Sequence, residues 1–210
     1  MRKHHAVALS AAALLTLAVL VDAVVIGITG QNTFVTDDEA GPTAAAVPFT
    51  IFQGLTYASL CWVLVAEAGR FAGANKVARI CRRGLLAGFA LLSLGTLVIN
   101  PVVRLLGAEE GPLYDASGLL ALLALVLTYG SALVLGLSVL RTNPLGIGGR
   151  VLALIVPVIA LIAVVAMVAP AWASPVWATI TAVVGTALLG VKAAPAQRTE
   201  PAVTSTVAPA

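Results

Sequence analysis

Six stretches of apolar residues, parted by short polar connections, set the pattern of this chain. The first runs from Ala6 to Ile28, and the others cover about 48–69, 84–103, 116–140, 151–168 and 175–191. The first holds 23 residues. At about 1.5 Å per residue it spans the ~30 Å hydrocarbon core with a little tilt. The pattern predicts an all-α, polytopic integral membrane protein, a bundle of six transmembrane helices. Residues 1–192 form a single membrane domain, and the Ala-, Pro- and Thr-rich tail 193–210 is expected to be disordered.

The charges orient this bundle. Six spans put both termini on one side, together with Arg2, Lys3, Arg70, Lys76, Arg79, Arg82, Arg83, Arg141, Arg150, Lys192 and Arg198. Only Arg104 of the twelve basic residues falls opposite, beside Asp37, Asp38, Glu39, Glu109, Glu110 and Asp115. By the positive-inside rule the N and C termini are cytoplasmic. Trp172 and Trp177 flank the last outer hairpin, as interfacial aromatics do.

Composition agrees. Hydrophobic residues make up 60% and charged residues 10% of the chain, against about 25% charged in a soluble domain. Mean hydropathy is +1.04. The net charge of +3 follows the membrane asymmetry and does not argue for nucleic acid. The expected partners are the lipid bilayer, anionic headgroups at the basic connection 70–83, and a second copy or another membrane protein. Met1-Arg2-Lys3 ahead of an apolar run also matches a secretory signal cut at Val21-Asp22-Ala23, which would remove most of the first helix. The run is longer than a signal core of roughly 7–15 residues and continues past the cut, so a retained span is expected. In layout the chain resembles small six-helix membrane proteins of high-GC bacteria, a likeness of arrangement that carries no function. A bacterial inner membrane is the expected location.

Asp22 is the only acid well inside an apolar run. An ionised carboxyl at a span's centre costs about 2.5–3.5 kcal/mol on insertion scales. Asp22 therefore needs partners, water or a proton. Helical spacing places it on a stripe with Ala11, Leu15, Ala18 and Thr29. On the second helix, Gln53, Tyr57, Leu60, Leu64 and Glu67 share another stripe. Gln53 and Tyr57 lie near the depth of Asp22, as do Thr96 and Asn100 of the third helix, with Arg104 just above. These six residues form a candidate intramembrane polar site. One reading is an outward pocket binding a proton or cation; the other is interhelical hydrogen bonding that fixes packing. Glu67 and Arg70 are expected to pair at the cytoplasmic interface.

Smooth faces at Gly84, Gly88 and Gly95 on the third helix, and at Ala121, Ala124, Thr128, Ala132 and Leu135 on the fourth, allow close backbone approach, within the bundle or between copies. Asn100-Pro101 and Pro157 are expected to interrupt or kink their helices. Gly146-Ile147-Gly148-Gly149-Arg150 links two spans and lacks the strand-loop-helix setting of a phosphate loop. Cys61, mid-membrane, and Cys81, in the basic connection, are placed too differently for a bridge. His4 and His5 lie in an N-terminus expected to fray, with no other ligand nearby, so no metal site is expected. No cofactor is expected either. HExxH and GxSxG are missing, and no His lies within a span to pair with a nucleophile. The expected function is a non-enzymatic bundle acting as an accessory or interaction partner in the cell envelope. The alternative is a small proton- or cation-coupled carrier or channel using Asp22.

Overall fold

The structure, a computed structural model, describes residues 2–35, 43–105, 111–141 and 144–192. Among them every regular element is helical and no strand occurs. The chain forms α1 (Lys3–Thr29), α2 (Thr43–Ala66), the short α3 (Ala68–Ala74), α4 (Lys76–Leu94) and, after a π-helical turn at Gly95–Ile99, α5 (Asn100–Leu105). It continues with α6 (Pro112–Val139), α7 (Ile147–Ala153), α8 (Ile155–Val168), a 3-10 turn at Pro170–Trp172 and α9 (Val176–Ala187). A helix satisfies its own backbone polar groups, as a hydrocarbon environment requires. Five helical stretches among the described residues are long and apolar enough to cross a membrane: Lys3–Thr29, Ala45–Ala66, Lys76–Val103, Tyr114–Val139 and Ile147–Val168. The last helix, α9, is apolar but has only 12 residues, about 18 Å of rise. The tail 193–210 and the acids Asp37, Asp38, Glu39, Glu109 and Glu110 lie outside the described residues.

The basic stretch after the second apolar run is helical, where the sequence suggested a connecting loop. Asn75 ends α3 in an extended conformation and starts α4, its side chain accepting the Ala78 N–H at 2.6 Å. Such a cap supplies a partner for an orphan donor of the first turn. High charge density suggests a loop, yet Lys, Arg, Ala and Ile suit a helix whose one side faces water. Cys81 accordingly lies buried within α4, and Cys61 and Cys81 are both free thiols. Pro48 sits inside α2, which begins earlier than the proline suggested. Asn100-Pro101 follows directly on the π turn: proline has no N–H to offer a helical ladder, and the Asn100 N–H bonds back five residues, to the Gly95 carbonyl. Pro157 has the same effect on the fifth apolar run. The helix breaks at Leu154, whose N–H bonds back only three residues, to Val151 at 3.0 Å, and Pro157 occupies the first turn of α8, where no donor is needed.

Small residues set the packing. In α1 the face of Ala8, Ala12, Leu15, Val19, Asp22 and Ala23 is buried, against α2 and α9. The most extensive pairing among the described residues joins α4 to α6. There a Cβ on Gly88 would fall 2.9 Å from the Thr128 nitrogen and 3.0 Å from the Ala124 carbonyl oxygen. The two smooth faces expected from the sequence thus meet each other at Gly88, while Gly95 has nothing within 4 Å of such a Cβ. At one end of the bundle α1 meets the last helix through His5 and Ala187, and at the other Gly27 lies under the Trp172 ring. The two helices are therefore antiparallel. Helix α8 stands furthest out, with Val156, Ile159, Leu161, Val164, Met167 and Val168 exposed.

The α4–α6 contact yields a paired test. Gly88→Ala drives a methyl into the α6 backbone and should lower stability by about 1–3 kcal/mol. Gly130→Ala, on α6 with open space around it, should be neutral or gain up to about 1 kcal/mol of helix propensity. Thermal unfolding of both variants in detergent checks this; equal midpoints would contradict the packing described.

Candidate functional site

Among the described residues, the largest concentration of charge inside the fold gathers on Glu67. This residue ends α2, its N–H still bonded to the Val63 carbonyl at 2.9 Å, and its side chain continues the buried stripe of Tyr57, Leu60 and Leu64. Only 3% of it is exposed. Glu67 Oε2 accepts from Arg70 Nε at 2.6 Å. Oε1 takes Arg2 Nη1 at 3.0 Å and His4 Nε2 at 3.1 Å, with His5 Nε2 at 3.4 Å. The other ring nitrogen of His5, Nδ1, donates to the Ala187 carbonyl at 3.2 Å. The α2–α3 junction, the start of α1 and the end of α9 converge on one carboxylate. Gly190, at φ +85°, lies flat against it: a Cβ there would come within 2.7 Å of Oε2.

Burial alone would raise the Glu67 carboxyl. Hydrogen bonds from Arg70 and His4 and the charges of Arg70 and Arg2 outweigh it, and the net direction is downward. The expected Glu67–Arg70 pair is present, but within the protein and joined by three further residues. His4 and His5 are buried in the first turn of α1, which corrects the expectation of a frayed N-terminus without nearby ligands. With Glu67 they place three ligand atoms within 4.8 Å of one another, an arrangement able to hold a metal ion. Sequence reading missed this cluster. The available signal was topological: two consecutive helices that pack antiparallel return Glu67 to the end of the bundle that holds the start of α1.

The polar residues at the opposite end of the bundle are distributed more widely. Asp22, 2% exposed, accepts a hydrogen bond from the hydroxyl of Thr33, in the segment after α1 that the sequence did not single out. Gln53 donates to the Tyr57 hydroxyl at 3.0 Å, and Tyr57 stacks on Phe89 with centroids 5.9 Å apart. Tyr57 and Phe89 are core residues. Thr96 turns its hydroxyl back to the carbonyls of Leu92 and Ser93, at 2.9 and 3.2 Å, and lies against Gly54. Thr96 and Asn100 border a small crevice with Ser117 and Ala121 of α6. Arg104 belongs to α5; its side chain lies outside the described part. At the same end Trp177 donates to the Trp172 carbonyl at 3.3 Å. The two tryptophans, Leu161 and Val165 line an open apolar groove of about 420 Å³ between α8 and α9.

The direction of the Glu67 shift fixes a pH dependence. A carboxyl whose folded pKa is depressed contributes stability that is complete above the unfolded value, about 4.3 for glutamate. That contribution is lost as pH falls through the lower folded value. Thermal stability in detergent with a metal chelator should therefore decline below about pH 4.3, and Glu67→Gln should flatten that part of the decline. Glu67→Leu should be worse than Gln at neutral pH, by up to about 3–5 kcal/mol, because the buried acceptor shared by Arg2, His4 and Arg70 is lost altogether. Parallel melting curves of the three proteins from pH 7 to pH 3.5 check both. No protein-family model, curated protein or solved structure matches the chain.

Proposed function

We propose that the chain is a six-span protein of the bacterial inner membrane, with both termini cytoplasmic, acting without catalysis as an accessory or interaction partner in the cell envelope. The observation that carries this reading is Asp22. The one acid deep in an apolar helix is buried and bonded to Thr33 of its own chain, as a packing residue is. A carrier would need that carboxyl to meet water or a cation during its cycle. Support for a sixth span comes from α9, which lies antiparallel to α1 and, with the 3-10 turn before it, extends from Trp172 at one end to Ala187 at the other. The basic residues Lys76, Arg79 and Arg83 stand exposed on α4, at the end that holds Glu67. There they meet anionic headgroups, at about 1 kcal/mol for each well-placed charge.

Two substitutions test the role of Asp22. Asp22→Asn keeps shape and hydrogen bonding and should complement a deletion strain fully. Asp22→Leu leaves Thr33 without its acceptor and should lower stability in detergent by about 1–3 kcal/mol. A stable Asn variant that fails to complement would overturn the packing role in favour of a proton or cation carrier, since asparagine cannot ionise. Reporter fusions check the topology independently. Those after Arg79, Arg141 and Lys192 should report cytoplasm and those at Thr36 and Glu110 the outside; an external C-terminus would remove the six-span arrangement. Proteins that co-purify in mild detergent would name the partner.

A further inference from the structure

We propose that His4, His5 and Glu67 form a binding site for a divalent cation of the zinc class, which ties the start of α1 to the α2–α3 junction. Three observations carry this. The first is the geometry of the donor atoms. For metal–ligand bonds of about 2.0–2.1 Å, two ligands of a tetrahedral ion stand roughly 3.3–3.4 Å apart. Glu67 Oε1 lies 3.1 Å from His4 Nε2 and 3.4 Å from His5 Nε2. Two of the three edges thus match such a site, all three donor atoms lie within 4.8 Å of one another so that the third edge needs at most a small turn of a ring, and the His2Glu set leaves the fourth corner to water.

The second is the tautomer of His5. Its Nδ1 faces the Ala187 carbonyl at 3.2 Å. A carbonyl oxygen only accepts, so Nδ1 carries the hydrogen. Nε2, left out of that bond, faces Glu67 Oε1 at 3.4 Å, and an ion placed between the two would take a lone pair from each. A backbone carbonyl holding the far nitrogen is the usual outer-shell support of a histidine ligand. The third is enclosure with one movable wall. His4, His5 and Glu67 are buried, Arg70 orients the carboxylate through Oε2, and Gly190 closes the side toward the end of α9. Arg2, which holds Oε1, is 64% exposed along its side chain and is free to swing into solvent as the ion enters.

The chemistry selects the ion. Two imidazoles favour zinc and its neighbours over magnesium or calcium, which prefer all-oxygen ligand sets. The guanidinium groups of Arg2 and Arg70 oppose any cation, so affinity rests on the nitrogen donors, and removing Arg2 should strengthen binding. The ligands must be unprotonated, and binding at neutral pH releases whatever protons the two rings carry.

The test uses the full chain in detergent, purified through a tag without histidines and stripped with a chelator. Titration with Co2+ should show one equivalent per chain, with the visible absorption bands of a four-coordinate site, displaced by Zn2+. Zn2+ alone should raise the melting temperature. His5→Ala and Glu67→Gln should each lose more affinity than the roughly 10–100-fold expected for an outer-shell partner. Arg2→Ala, a change at an exposed position, should bind more tightly than the parent. This last variant keeps the proposal open to refutation if Glu67→Gln does not fold. No saturable binding to the folded parent, affinity unchanged in His5→Ala, or no gain in Arg2→Ala would each overturn the site. The site lies at the opposite end of α1 from Asp22, so its outcome is separate from that of the Asp22 variants.

Discussion

A carboxylate removed from water must be surrounded by donors, and Glu67 recruits its own from two parts of the chain. Arg70 comes from the next helix, Arg2 and the two histidines from the start of the first, and the end of α9 is held through His5. Each donor alone stabilises the charge only in part. Together they fix where α1 begins, how α2 turns into α3, and how closely the last residues approach. Losing one partner of a buried charge costs more than the pair contributes over an apolar replacement. The cluster therefore defines one arrangement of the ends more than it adds to total stability.

Away from this end the bundle relies on close backbone approach. Lipid tails are as apolar as leucine, so burying a leucine between helices gains little in a membrane, and association depends on packing and on interhelical hydrogen bonds. Gly88 against Thr128, Gly54 against Thr96 and Gly27 under Trp172 supply the packing. Gln53 to Tyr57 and Tyr129 to Thr179 engage side-chain polar groups inside the protein. Helix α8, with few such features, stays on the periphery and exposes valine, isoleucine, leucine and methionine. The same composition that would make a soluble helix aggregate suits a surface in contact with acyl chains.

The two ends differ in chemistry as well as in charge. Thr33 reaches Asp22 from eleven residues on, and Trp177 reaches the Trp172 carbonyl from five. Glu67 takes Arg70 from three positions away and Arg2 and His4 from more than sixty. Local bonds shape a turn, whereas long-range bonds close a bundle.

What the sequence by itself determined is the helical class and the faces of the helices. Runs of twenty or so apolar residues have few alternatives to a helix, and spacing of three and four residues placed Tyr57, Leu60, Leu64 and Glu67 on one stripe and gave α4 and α6 a smooth face each. Local signals were less decisive where two of them competed. A basic stretch read as a loop is helical, because Asn75 caps it and one wet side is enough for its charges. Only the tertiary structure decided which polar residues meet. Asp22 found Thr33, eleven residues on, while His4 and His5 found Glu67 across more than sixty. Helical periodicity gives a residue's direction about its own axis and its depth. It does not say which neighbouring helix stands opposite, and two histidines become a site only when that neighbour brings a carboxylate to them.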